Sequence, residues 1–386
     1  MINVRRSNSR SNIIITVVMS IITVALMLYP NQYSNTNSER AVRATVVRVD
    51  NTNVEQYGIA KVGQQSVDVI IKNGKYKGSE VSGVNYLIGK MELDTVYDEG
   101  NTALVTPYIV DNGIKNVTLV GIYRLNYELI LLVIFALSLL LYAGWIGAKA
   151  LVSFLFSGAM IWKIILPSFL AGFNPIIITV IAIIVLTAVI MFLIAGVSKR
   201  AMSALLGSSC GILVACVLAI VFTDLFQISG AVKPFTETLL YSGYANLNIT
   251  QIFIAGIFMS ASGAIMDISM DVSSTIVEVA YHNPGISKKK LILSGLRVGR
   301  SVIGTMTTTL LLAYSSSYMG LLMVFMAQGT PGMQILNLNY VAAEILNTLI
   351  GSISLVLTAP LTAVVAGILY GGEEEGESSE VLADSN

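Results

Sequence analysis

Charge is the first thing this chain goes without. Only 12% of its 386 residues are Asp, Glu, Lys or Arg, about half the share usual in soluble domains. Acids and bases balance at 23 each, so no net field is left to attract nucleic acid. Cysteine is nearly absent. Cys210 and Cys216 lie in one apolar run, on different faces of a helix and beyond disulfide reach, and read as small core residues. The single histidine, His282, stands beside Asn283-Pro284 and reads as a helix-end polar residue. With no His/Cys cluster, no metal site is expected. No Walker loop, dinucleotide fingerprint or nucleophile triad occurs, so neither an enzyme nor a bound cofactor is expected.

What is abundant is hydrocarbon. Hydrophobic residues make up 54% of the chain and the mean hydropathy is +0.74, the balance of a membrane protein. Arg5, Arg6 and Arg10 precede an apolar run from Ile13 to Tyr29. That run is long for a signal peptide and no small-x-small cleavage site precedes Pro30. Residues 1–30 therefore read as a cytoplasmic N-terminus and an uncleaved anchor helix. From 31 to 124 the patterning changes to period two, as in Ala44–Asp50 and Ser66–Lys72. Turns such as Asn73-Gly74, Lys77-Gly78 and Asp111-Asn112-Gly113 punctuate it. Five or six strands in this span predict a small β-barrel or sandwich outside the cytoplasmic membrane.

Residues 125–370 read as seven further spans, at about 127–143, 150–170, 175–197, 203–223, 249–272, 302–326 and 341–369. Lys149, Lys199-Arg200, and Lys288–Lys290 with Arg297 and Arg300 fall in alternate loops. The intervening short loops hold only Lys233. This positive-inside pattern places both termini in the cytoplasm, and residues 371–386 read as an acidic disordered tail. Thr223 to Asn248 is too polar to span and reads as an outer loop with an interfacial helix. The expectation is a mainly α polytopic membrane protein of about eight transmembrane helices, with a small all-β extracytoplasmic domain.

Within this frame the polar residues stand out. At about 100° per residue Asp267, Asp271 and Glu278 fall within about 40° on one helix, beside Ser260 and Ser274. Such a stripe suits a cation or proton site in a polar cavity. It equally suits static ion pairs with Arg297 or Arg300, or a helix that runs on into solvent. Arg297 and Arg300 share a face and could be counter-ions, an anion site or membrane anchors. Both aspartates lie on one helix, which argues against an intramembrane aspartyl protease. Thr305 and Thr308 in the Gly304–Thr309 run, and the Gly256/Ser260 step, read as small-residue helix packing. Glu344 is a lone acid near the start of the last span, where Pro360 adds a tilt or kink. Lys163 reads as snorkelling to the outer headgroups.

Several segments resemble the YibE/F-like family of multi-span bacterial membrane proteins. They are Asn73–Gly78, Ser262–Asp267, Asn283-Pro284-Gly285, Ser294-Gly295 with Val298-Gly299-Arg300, Gly304–Met306 through Leu310–Tyr314, Val341–Glu344 and Thr348–Ser352 through Pro360-Leu361-Thr362. The resemblance implies a cytoplasmic-membrane protein and brings no activity with it. It also implies an acid after the Gly-Arg pair and an asparagine in the Gly-Thr-Met segment, where this chain has Ser301 and Thr308. That departure suggests an altered copy or a partner subunit. The functional expectation is a permease for an ion or small solute. Asp267, Asp271 and Glu278 would form its cation or proton site and Arg297 and Arg300 its counter-ions. The alternative is a non-transporting scaffold whose β domain binds a protein or envelope partner. Expected partners are the lipid bilayer and either a second copy or a related membrane subunit.

Overall fold

A computed structural model describes residues 2–30, 41–110 and 113–371. The Asp111-Asn112 turn and the acidic tail lie outside the described residues. The chain divides into two units, Asn31–Leu141 and Met1–Pro30 with Tyr142–Asn386.

In the first unit the alternating runs become five strands: β1 (Val42–Tyr57), β2 (Ala60–Ile71), β3 (Glu80–Ile88), β4 (Thr102–Val110) and β5 (Gly113–Ile122). They close as a barrel in the order β1-β2-β3-β5-β4, with β1 returning to β4. β1 can serve both neighbours because its register with β2 slips twice, at Val46/Arg48 and Asp50/Asn53, and such bulges bend a strand. Gly63 sits opposite the second slip at φ +115, where a Cβ would lie 2.1 Å from the Asn53 carbonyl oxygen. Only glycine fits there. The inward positions, among them Ala44, Val46, Val67, Val69, Ala103, Val105 and Val117, form the core with Tyr97. Closure is weakest between β3 and β5, a parallel contact with one registered pair, Gly83 and Val117.

The second unit is helical: α1 (Ile2–Leu28), α2 (Leu125–Met160, begun in the first unit), a π turn (Ile161–Ile165), α3 (Leu166–Leu170), α4 (Pro175–Ala195), α5 (Lys199–Leu225), α6 (Thr236–Tyr241), α7 (Ile249–His282), α8 (Lys288–Ser316), α9 (Met319–Ala327), α10 (Gly332–Asn337) and α11 (Asn339–Tyr370). Among the described residues five helical segments are long and apolar enough to cross a membrane: Leu125–Leu170, α4, α5, α7 and α11. A sixth results if α8 and α9, bent by 64°, count as one span. The Ile13–Leu28 stretch of α1 is shorter. The eight expected spans differ from this count at three places, the short α1 stretch being the first. Where a loop was expected between 143 and 150, helix α2 runs on and breaks only at Gly144 (φ 53, ψ −123), a conformation natural to glycine alone. Lys149, expected in that loop, is buried in the helix. The straight span expected at 302–326 bends after Ser316.

Small residues set the packing. α5 meets α11 at Gly207 and Gly211, where a Cβ would come within 2.2 Å of Thr362 Oγ1 and 2.0 Å of Thr358 Oγ1. α8 meets α7 and α11 at Gly295 and Gly299, against Ile276, Ala363 and Ala359. The interior of this bundle is apolar: Phe258, Ile265, Ile268, Val272 and Ile276 of α7 are fully buried. Its buried hydroxyls mostly donate to the carbonyl one turn back, as Ser354 does to Ile350 and Thr358 to Ser354. Cys216 is buried as expected, but Cys210 is exposed. The Gly304–Thr309 run also departs from the packing role. Gly304, Thr305, Thr308 and Thr309 are exposed, and their hydroxyls bond their own helix, Thr305 to Val302 O and Thr308 to Gly304 O. Gly256 likewise touches no neighbour at its Cβ position.

Candidate functional site

α7 carries the acidic stripe. Its first turn is capped by Asn248, whose side chain accepts from the Gln251 amide at 3.0 Å. It ends at His282, before the Asn283-Pro284-Gly285 turn that cannot continue a helix. Between these limits the 3.6-residue period divides the helix cleanly. Ile265, Ile268, Val272 and Ile276 face inward. Ser260, Gly263, Asp267, Asp271 and Glu278 are exposed, and Ser274 is half-buried. α4 and α8 both pack on α7 but make no extended contact with each other. The stripe therefore floors a groove between them, with Met266 and Met270 packed on the α4–α5 side.

The structure places Arg297 and Arg300 on the exposed face of α8, with Thr305 and Thr308 beyond them. It does not bring them to the acids. Among the described residues the ion pairs are Arg48–Asp68 in the barrel and Lys233–Glu344 in the bundle. Asp267, Asp271 and Glu278 thus have no cationic partner among the described residues. Nor do any three His, Cys, Asp or Glu side chains among the described residues converge as a metal site.

The Lys233–Glu344 pair marks a second polar place, at the Ile249 end of α7. Its acid is buried near the start of α11. Its lysine follows a short helical turn, Gly230–Val232, pressed so closely on α7 that a Cβ at Gly230 would lie 1.9 Å from the Ile249 carbonyl oxygen. Lys233 Nζ also sits 5.8 Å above the Phe253 ring and 5.7 Å above that of Tyr318, favourable positions for a cation. Beside the pair is a cavity of about 250 Å³, lined by Lys233, Thr236, Phe253, Gly256, Ser260 and Asn347. Ser260 donates to Asn347 Oδ1 at 3.0 Å. The Tyr314 hydroxyl lies beside Ser260, buried without a well-formed hydrogen bond.

Ser260 joins the two places. It lines the cavity and is also the first polar member of the stripe, about 10 Å along α7 from Asp267 at 1.5 Å per residue. The sequence singled out Glu344 and Lys233 separately and did not pair them. The signal was there: a lone acid near one end of the last span, and the one cation in a set of loops otherwise free of them. Lys163 donates to the Tyr29 carbonyl at 2.6 Å, at the exposed C-terminal end of α1.

The barrel holds an opening of about 660 Å³ at the β3–β5 seam, lined by Ser82, Asn85, Tyr86, Asp94, Lys115 and Asn116 among others. Polar groups behind it are satisfied. Gln65 is fully buried. Its amide nitrogen donates to Asn51 Oδ1 (2.8 Å) and Tyr97 O (2.9 Å), and its oxygen accepts from the Tyr97 amide (3.0 Å) and Asn85 Nδ2 (3.1 Å).

The family model described as YibE/F-like protein matches residues 131–372, and the chain belongs to that family. The match takes in the whole stripe, the arginines and Glu344, and leaves the barrel outside. No curated protein and no solved structure matches the chain.

Proposed function

We propose that this YibE/F-like membrane protein is a permease for an ion or small solute. A solute would enter beside Lys233 and Glu344 and pass along the α7 stripe to Asp267 and Asp271. One observation carries the reading: the cavity at the Ile249 end of α7 reaches Ser260, where the acidic stripe begins. Uncharged solutes need no carboxylates at membrane depth, so the stripe favours a cation or proton. The Lys233–Glu344 pair stands at the mouth as a gate that an entering cation would compete to open.

The proposed topology has eight spans: Ile13–Leu28, two from Leu125–Leu170 divided at the Gly144 break, α4, α5, α7, the bent α8–α9 pair and α11. At 1.5 Å per residue the Leu125–Leu170 run is about 69 Å long, more than twice a hydrocarbon core of about 30 Å. Both termini are then cytoplasmic and the barrel is outside. A second reading, a non-transporting scaffold, is favoured by the polar opening at the β3–β5 seam, which could receive a protein or envelope partner.

Flux in proteoliposomes separates the two. Under imposed proton, sodium and potassium gradients, Asp267→Asn should abolish solute-coupled cation movement at unchanged melting temperature. Glu344→Gln should change its rate. If both variants conduct like the unaltered protein across salts and pH, the permease reading is wrong, and loss of partner recovery on barrel deletion would favour the scaffold.

A further inference from the structure

We infer that the α7–α8 face docks a second copy of this chain, α8 of each copy lying along the acidic stripe of the other. The inference needs only that these helices lie in a bilayer and is independent of transport. Its starting point is an imbalance. Asp267, Asp271, Arg297 and Arg300 are exposed and make no ion pair among the described residues. They are not at helix ends. Asp267 lies about 22 Å along α7 from His282, and Arg297 about 13 Å along α8 from Lys288. Charged groups at such depth face a bundle interior, a water-filled path or another protein rather than lipid tails. This bundle's interior holds none of the four.

The second copy is singled out by register. α7 and α8 run antiparallel, with Gly295 level with Ile276 and Gly299 level with Val272. Extending that register puts Arg297 level with Ser274, Ser301 with Met270, Thr305 with Met266 and Thr308 with Gly263. On α7 the acids stand at 267, 271 and 278. Every acid therefore has a donor-bearing residue of α8 within about one helical turn of its own depth.

A two-fold axis along the membrane normal keeps all depths equal between copies. It faces the α7 stripe of one with the α8 stripe of the other, twice over, as an isologous interface requires. Arg297 of the second copy would stand between Asp271 and Glu278. Ser301 and Thr305 would bracket Asp267, their hydroxyls turning from the helix carbonyls they now bond. The groove between α4 and α8 gives the incoming helix its seat. The stripe becomes an enclosed path that a single copy does not have.

The test uses the full-length protein in native-like membranes, in a Cys210→Ser, Cys216→Ala background. Copies carrying Asp271→Cys and differently tagged copies carrying Arg297→Cys are co-expressed and oxidised. A disulfide-linked dimer carrying both tags is expected, with several-fold less from an Ile181→Cys control on the outer face of α4. Charge reversal then checks the pairing. Asp271→Arg and Arg297→Asp should each be monomeric alone by native mass spectrometry, and should associate when co-expressed, because both contacts are then restored. A monomeric unaltered protein, cross-linking equal to the α4 control, or single reversals that leave the dimer intact would each overturn the inference. So would failure of the two reversed copies to associate.

Discussion

The barrel and the bundle treat polar groups in opposite ways. Inside the barrel Gln65 is buried with all four of its hydrogen-bonding positions used, across three segments of the chain. On the bundle, the carboxylates of Asp267 and Asp271 sit on an apolar helix with no hydrogen bond or ion pair among the described residues. A charge exposed at mid-helix in a bilayer costs about 2.5–3.5 kcal/mol on insertion scales. A buried amide with every partner in place costs little and fixes a unique arrangement. The polar residues of the barrel are therefore accounted for by its own fold. Those of α7 are not, and their account has to come from a solute or a second protein surface.

The largest expected effect comes from breaking the barrel side of this contrast. Gln65→Leu keeps the volume but strands the buried Tyr97 amide and carbonyl, while Asn85 keeps its bond to Thr95 O and Asn51 is open to water. At about 1–3 kcal/mol for each group left unsatisfied, the loss should be about 3–5 kcal/mol. Hydrogen exchange on the full-length protein reads it as lost protection across β2 and β3, with the amides of α7 unchanged. Unaltered barrel protection would mean that water replaces the amide freely, and the network would not be the organising feature assigned to it.

The two regions also differ in how much of them was legible beforehand. Period-two alternation and Asn-Gly turns announced five or six strands in a small barrel or sandwich, but not which of the two they form. Closure depends on two bulges in β1 and on pairing β1 with β4, contacts set by geometry rather than local pattern. The acidic stripe was legible because a helix brings residues 4 and 7 apart to one face. The Lys233–Glu344 pair was not, since its members lie 111 residues apart and meet only through packing of α7 on α11. That α2 runs on past Gly144 to Met160 was not legible, because one glycine in an apolar run looks like many others. Ser315-Ser316-Ser317 before the 64° bend was a stronger cue, hydroxyls competing for helix carbonyls where the chain turns.

A smaller effect sharpens the barrel side. Burial of Tyr97 pushes its phenol up to about 12, against 10 in the unfolded chain. Below pH 10 both states hold the proton and stability is unaffected by it. Between about pH 10 and 12 the unfolded chain loses the proton while the folded barrel keeps it, so stability falls as pH rises. Two units correspond to about 2–3 kcal/mol. Thermal melts of the barrel signal should drop through this window in the unaltered protein. Tyr97→Phe should flatten the drop, and an equal drop in that variant would place the titrating group elsewhere.

The smallest effect is the one expected at Asp267. Replacing its carboxylate by the isosteric amide in Asp267→Asn removes no hydrogen bond and no ion pair within the chain. Stability of the dissociated single copy in detergent should therefore move by no more than about 0.5 kcal/mol, as for ordinary surface changes. The comparison with Gln65 makes this near-null result informative: the same size of polar group, moved from a closed network to an open stripe, goes from indispensable to structurally idle. Melting curves at matched detergent and protein concentration give the measurement. A loss of several kcal/mol would mean that α7 uses Asp267 to hold the bundle together. The stripe would then be structural in the way the barrel network is, and the reason for seeking a solute or a partner there would be gone.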